Sequence, residues 1–179
     1  IARRYYPVPT IYLMYEQVHS YVPVVHPGLY DHILIAWDRA IFGANPTQWL
    51  YPFAPQNLST SLTFPYALIY FLPVLHGIEL TLKNDHERLG RFVYIMTFGF
   101  LVSYLLYFVM PAIGPRFTLH DFRSTDLELP GIWLTSTIRE LINAGGSAPH
   151  SALNPAAVVN RDCMPSGHTM MTLLNIILA

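Results

Sequence analysis

The chain has 179 residues, 53% of them hydrophobic and 14% aromatic, and only 12% carry a formal charge, against roughly 25% in an ordinary soluble domain. Ten Lys and Arg against eleven Asp and Glu give a net charge of −1, which excludes the basic excess that nucleic-acid binding needs and the charged composition of a disordered chain. A single cysteine, Cys163, excludes an internal disulfide framework and any multi-cysteine zinc site.

In chain order, Ile1-Ala2-Arg3-Arg4 has no initiator Met and leads into no short apolar core with a small-residue cleavage site. No signal peptide is expected, and the chain is expected to start after its biological beginning. Thr10 to Val25 is apolar enough for a helix in or on a membrane, but Glu16, His19 and the prolines leave its depth open. Asp31 to Phe42 carries Ile33, Leu34, Ala36, Trp37, Ala40 and Ile41 on an approximately helical stripe beside Asp38 and Arg39, which predicts an interfacial helix. From Ala40 to Ile78 there is no formal charge, and 62–82, with Pro65, Pro73 and His76, is expected to be a transmembrane helix, since neighbouring helices can satisfy the backbone groups that prolines free. The turn from Lys83 to Arg91 holds three basic residues, and the positive-inside tendency places it in the cytoplasm.

From Phe92 to Pro115 the chain is again uncharged. At 1.5 Å per residue, 92–113 spans about 33 Å, enough for a hydrocarbon core of about 30 Å, and is expected to be the most secure transmembrane helix. The polar stretch 117–162 then reads as an extracytoplasmic loop, and 169–179 as the start of a further transmembrane helix. That last apolar run reaches Ala179 without a helix stop signal, so truncation is expected at this end too. The fold class expected is all-α, a polytopic transmembrane helix bundle forming one membrane-embedded domain over 1–179; no repeat and no alternating strand pattern is evident.

This topology brings Arg116 and Pro165-Ser166-Gly167-His168 to one membrane face. Ser166 is a good N-cap, Gly167 permits close approach to the backbone, and the exposed N–H groups of a helix start attract an anion. His168 can exchange a proton near neutral pH, and Arg116 offers a planar fork that matches phosphate. These parts suit phosphoryl transfer, where positioning and charge stabilisation dominate. Equally, Ser166-Gly167-His168 could simply cap a transmembrane helix and Arg116 could anchor the end of one; the residues alone leave both readings open.

Cys163-Met164-Pro165-Ser166-Gly167-His168-Thr169 resembles the P-S-G-H signature of the type 2 phosphatidic acid phosphatase superfamily of membrane lipid phosphatases. Tyr107-Phe108-Val109-Met110-Pro111-Ala112-Ile113-Gly114-Pro115-Arg116 resembles the Y-x-x-x-P-A-x-G-P-R segment of its inositolphosphotransferase-like branch, which includes the inositol phosphorylceramide synthases. Asp38-Arg39-Ala40-Ile41-Phe42-Gly43-Ala44-Asn45-Pro46 is similar to that branch's D-x-x-x-F-G-x-x-P segment. The resemblance implies a lipid phosphate or phospholipid substrate, no cofactor, and a phosphohistidine intermediate, with His168 as general acid. Ser166 and the Gly167 backbone would hold phosphoryl oxygens, and Arg116 would stand for the arginine of the first motif.

Two departures bear on this. The general first motif is K-x6-R-P, but Val109 stands seven before Arg116 and Phe117 follows it, so the usual lysine is missing, as it also is in the inositolphosphotransferase-like branch. The third motif, S-R-x5-H-x3-D, which carries the nucleophilic histidine, is expected beyond Ala179. The given stretch alone is therefore expected to be inactive.

Eight histidines include no H-x-x-x-H or H-E-x-x-H pair, so no metal is expected. Glu16, His76 and Glu79 are expected to be packing or interfacial partners, Cys163 a small buried hydrophobe, and Arg161 and Asp162 close enough to the signature to touch a headgroup. The expectation is thus a membrane enzyme with its active site on the extracytoplasmic face and no nucleic-acid partner. Its rival is a non-catalytic membrane scaffold or lipid-binding protein that keeps the fold. Whether water or an alcohol accepts the phosphoryl group is open, as is the oligomeric state.

Overall fold

Proline, glycine and a short supply of charge decide where the helices of this chain begin and end. The structure, a computed structural model, describes residues 5–148 and 151–179; Ile1-Ala2-Arg3-Arg4, where a signal peptide was not expected, and residues 149 and 150 of the 117–162 stretch lie outside the described residues. Among the described residues every regular element is helical. The longer helices are α1 (Pro7–Val25), α2 (Asp31–Phe42), α3 (Gln56–Leu68), α4 (Leu72–Leu82), α5 (His86–Val109), α6 (Trp133–Gly145) and α7 (Gly167–Leu178). The chain divides into two compact units, one of residues 1–28, 68–111 and 162–179, the other of residues 29–67 and 112–161.

The first unit is organised around α5, against which α1, α4 and α7 pack. Asp85 caps α5 by accepting the N–H of Arg88 at 3.1 Å, which satisfies one orphan donor of the first turn. At the other end Pro111 biases Met110 out of the α region, and α5 stops at Val109 with Met110 at φ −138°. The helix in the uncharged run 92–113 is therefore placed six residues earlier at its start and four earlier at its end. Leu80, Leu89, Phe92, Met96 and Met171 form the core between α4, α5 and α7, while Val22, Tyr104 and Tyr107 join α1 to α5. Gly99 lets α7 approach: a Cβ there would stand 2.9 Å from Met170 Sδ and 3.0 Å from a Leu174 methyl. Two hydrogen bonds add specificity. The Tyr104 hydroxyl donates to the Ile11 carbonyl at 2.9 Å, and His76 Nδ1 on α4 pairs with Asn175 Oδ1 on α7 at 3.2 Å. Glu79 pairs with Lys83 at 2.6 Å.

Residues 62–82 do not form one continuous helix. Proline has no N–H and its ring crowds the carbonyl four residues back, so Pro73 breaks the ladder at Ile69, and Ile69–Phe71 is a turn between α3 and α4. Among the described residues α5 is the one helix that is by itself long and apolar enough to cross a membrane; α3 and α4 qualify only if taken together across their break, and α7 is apolar but has 12 residues.

In the second unit, α2 runs over the predicted bounds and ends where Gly43 adopts φ 72°, the left-handed stop that glycine takes at least cost. Residues 117–162 hold structure of their own: α6 and the short turns Phe122–Ser124, Thr125–Glu128 and Pro155–Val158. α6 is tied to α3 by Arg139, which donates to Ser59 Oγ at 2.7 Å. Gln56 donates to the Gly131 carbonyl at 3.1 Å beside it. Ile113, Phe122, Ala148 and Val159 form the apolar centre.

Candidate functional site

In the first unit the signature loop ends where α7 begins. Ser166 is the N-cap, with φ −70° and ψ 113°, and its Oγ accepts the Thr169 N–H at 3.3 Å. Gly167 and His168 are thus the first two helical residues, and their N–H groups belong to the first turn, which the helix itself leaves unbonded. The side-chain cap takes the third donor of the turn and leaves the partial positive charge of the helix end with the backbone of Gly167 and His168.

His168 Nε2 lies 2.6 Å from the Tyr70 hydroxyl, and the two rings meet edge to face at 4.9 Å and 78°. One turn along α7, the Thr172 hydroxyl donates to the His168 carbonyl at 2.9 Å. Gly167 faces Tyr107 of α5: a Cβ built on Gly167 would stand 3.5 Å from the Tyr107 hydroxyl, an ordinary contact.

Asp162, just before the signature, links this loop to α1. The Tyr15 hydroxyl donates to Asp162 Oδ2 at 2.7 Å, and His19 Nε2 lies 3.7 Å from the same oxygen. The His19 ring meets Tyr15 edge to face at 4.1 Å and stacks on Tyr107 at 5.8 Å. The His19 side chain is 7% exposed, and among the described residues neither ring nitrogen has a hydrogen-bond partner, so ring packing sets its place beside Asp162.

Arg116 lies in the second unit, in the short turn Pro115–Thr118. The approach to it is fixed by Asp31, a buried carboxylate that accepts the N–H of Ile113 at 3.1 Å and of Gly114 at 2.7 Å. Charge-assisted bonds of this kind are about twice as strong as neutral ones. Gly114 takes φ 93°, a conformation that disfavours any side chain, and so turns the chain into Pro115-Arg116. The guanidinium donates to Asn143 Oδ1 at 2.7 Å and lies over the rings of Phe117, 4.7 Å away, and Phe122, 5.5 Å away. Asn143 is itself buried on α6.

Of the four residues that the sequence singled out, Ser166, Gly167 and His168 are consecutive at the start of α7 in the first unit, and Arg116 belongs to the second. Sequence reasoning passed over Tyr70, Tyr15, Asp31 and Asn143. Tyr107 carried a signal, as the first residue of the segment ending in Arg116, without a stated role. Asp162, close in sequence to the signature, accepts from Tyr15 at its Oδ2. Among the described residues no group of three or more His, Cys, Asp and Glu side chains is placed to hold a metal ion.

A sequence model of the PAP2 superfamily matches residues 32–179, from α2 to the end of α7. No curated protein and no solved structure matches the chain.

Proposed function

The chain belongs to the PAP2 superfamily, and from that premise we propose that it is an integral membrane lipid phosphatase or phosphotransferase, of the inositolphosphotransferase-like branch, working through a phosphohistidine. Members of the superfamily are generally phosphatases and often membrane proteins. The observation that carries the reading is the start of α7: the Pro165-Ser166-Gly167-His168 signature stands there with Ser166 as cap and His168 on the first turn, where backbone donors and the helix dipole favour a phosphoryl group.

In the proposed reaction an imidazole of the third motif attacks phosphorus. The N–P bond forms as the P–O bond to the lipid alcohol breaks, and the leaving oxygen takes its proton from His168. Water or an alcohol then attacks the phosphohistidine and gives its proton to His168, which restores both groups. Ser166 and the Gly167 backbone are assigned to the phosphoryl oxygens, and Arg116 to phosphate binding, on the strength of their motifs. The lipid setting is supported by α5, whose residues Tyr94, Phe98, Leu105 and Val109 form an exposed apolar stripe along one face. Such a stripe suits acyl chains better than water. With the Lys83–Arg91 turn cytoplasmic, the signature is assigned to the extracytoplasmic face.

The test uses the full-length protein in detergent with a lipid phosphate. His168→Ala is expected to abolish release of phosphate or its transfer while the helical content is kept. Unchanged turnover would overturn the role of His168, and no turnover in the wild type would favour the non-catalytic scaffold.

A further inference from the structure

We infer that Tyr70 is the positioning residue for His168, an inference that rests on the general-acid reading above. The chain of causes starts at Pro73. Its missing N–H and its ring break the helical ladder at Ile69, so Tyr70 sits in the turn between α3 and α4, where Phe71 N–H bonds the Leu68 carbonyl at 2.9 Å and Leu72 N–H the Ile69 carbonyl at 3.3 Å. From that turn its phenol reaches across 98 residues of sequence to within 2.6 Å of His168 Nε2. The ring of Tyr70 closes on the imidazole edge to face, the arrangement that aromatic quadrupoles favour.

A general acid is only as good as its aim, and the ring of a histidine turns easily about χ2, a broad sp³–sp² torsion. α7 fixes the backbone of His168 but not this rotation. The Tyr70 hydroxyl does: it accepts from the imidazolium Nε2–H, so the proton passed to the leaving oxygen is the one on Nδ1, and the neutral ring that remains keeps its Nε2–H and its bond to Tyr70. The edge-to-face packing holds the ring plane, and the hydrogen bond holds its direction.

The inference separates from a merely structural role by leaving-group dependence. Protonation by a general acid is needed when the departing group is an ordinary alcohol and hardly at all when it is p-nitrophenolate, which leaves as a stable anion. The full-length protein is assayed with a short-chain phosphatidate and with p-nitrophenyl phosphate, as wild type, Tyr70→Phe and His168→Ala. Tyr70→Phe is expected to lower kcat/KM, which reports only up to departure of the leaving group, about 10-fold on the phosphatidate, since misplacement of a catalytic group by an ångström costs up to about 100-fold. On the nitrophenyl ester it is expected to lower kcat/KM by no more than about 3-fold, and this activity also reports that the variant is folded. His168→Ala is expected to show the same selectivity with a larger loss, in line with the roughly 10²–10⁴-fold that general acids supply. Equal losses on both substrates in Tyr70→Phe, or none on either, with a selective loss in His168→Ala, would overturn the role of Tyr70 and leave the proposed function standing. A His168→Ala variant without leaving-group selectivity would overturn the general-acid reading, and the role of Tyr70 with it.

Discussion

The signature loop and the Arg116 turn are held by different means. In the first unit the loop sits on an apolar scaffold: α7 is placed by Met171, Leu174 and the notch at Gly99, and the hydroxyls of Ser166, Tyr70 and Tyr15 bond the Thr169 N–H, the His168 ring and the Asp162 carboxylate. In the second unit the turn is held by charge. The buried Asp31 carboxylate grips two consecutive N–H groups, and Arg116 is oriented by Asn143 and two aromatic faces. A group carried on a helix end inherits its position from helix packing. One carried on an irregular segment needs each backbone donor and acceptor answered individually.

That contrast predicts unequal costs of mutation. The largest is expected at Asp31: Asp31→Ala leaves the buried Ile113 and Gly114 N–H groups without an acceptor, at about 3 kcal/mol of stability, read as a fall in Tm with the greatest local loss of hydrogen-exchange protection around Gly114. A loss under about 1 kcal/mol would mean that the carboxylate does not organise the turn. Next is Gly99→Leu, which drives a side chain into Met170 and Leu174 and should cost about 2 kcal/mol by overpacking; an unchanged Tm would show that α7 is not seated in that notch.

Asn143→Asp sharpens the other side of the comparison. Replacing a neutral partner by a carboxylate beside Arg116 offers the guanidinium a competing anion, so inhibition by vanadate is expected to weaken about 10-fold, equivalent to about 1.4 kcal/mol. Equal inhibition would remove Arg116 from phosphate binding. A smaller stability effect is expected at Ser166→Ala, about 1 kcal/mol for a lost N-cap, measured by thermal unfolding. Gly167→Ala meets only an ordinary contact with the Tyr107 hydroxyl, so its stability should hold within about 0.5 kcal/mol, the smallest change of the set. A fall in its turnover would then report phosphoryl approach to the backbone, not damage to the fold.

What could be read from the sequence was local. The bounds of α2 follow from its apolar stripe and from Gly43, and the start of α7 from the capping chemistry of Ser166, because each is settled within a few residues. The break at Ile69–Phe71 lay in plain view at Pro73, but packing can carry a proline inside a helix, as it does for Pro65 in α3 and Pro23 in α1, so periodicity could not say which outcome holds. The placement of α5 was missed at both ends for a related reason. Charge marks where an apolar run stops, whereas the helix starts at the Asp85 cap and stops ahead of Pro111. The partners of the functional side chains were out of reach. Tyr70 and His168 are 98 residues apart, and Asp31 and Gly114 are 83 apart, and no local pattern ties a tyrosine in a turn or an acid at a helix start to a distant loop.

The most direct test of the central claim is a structure of the full-length protein with vanadate, whose trigonal-bipyramidal form imitates phosphorus in flight between two oxygens or nitrogens. The account predicts vanadate at the start of α7, its oxygens within hydrogen-bond reach of the Gly167 N–H and the His168 imidazole. Vanadate bound elsewhere, with the start of α7 empty, would contradict it.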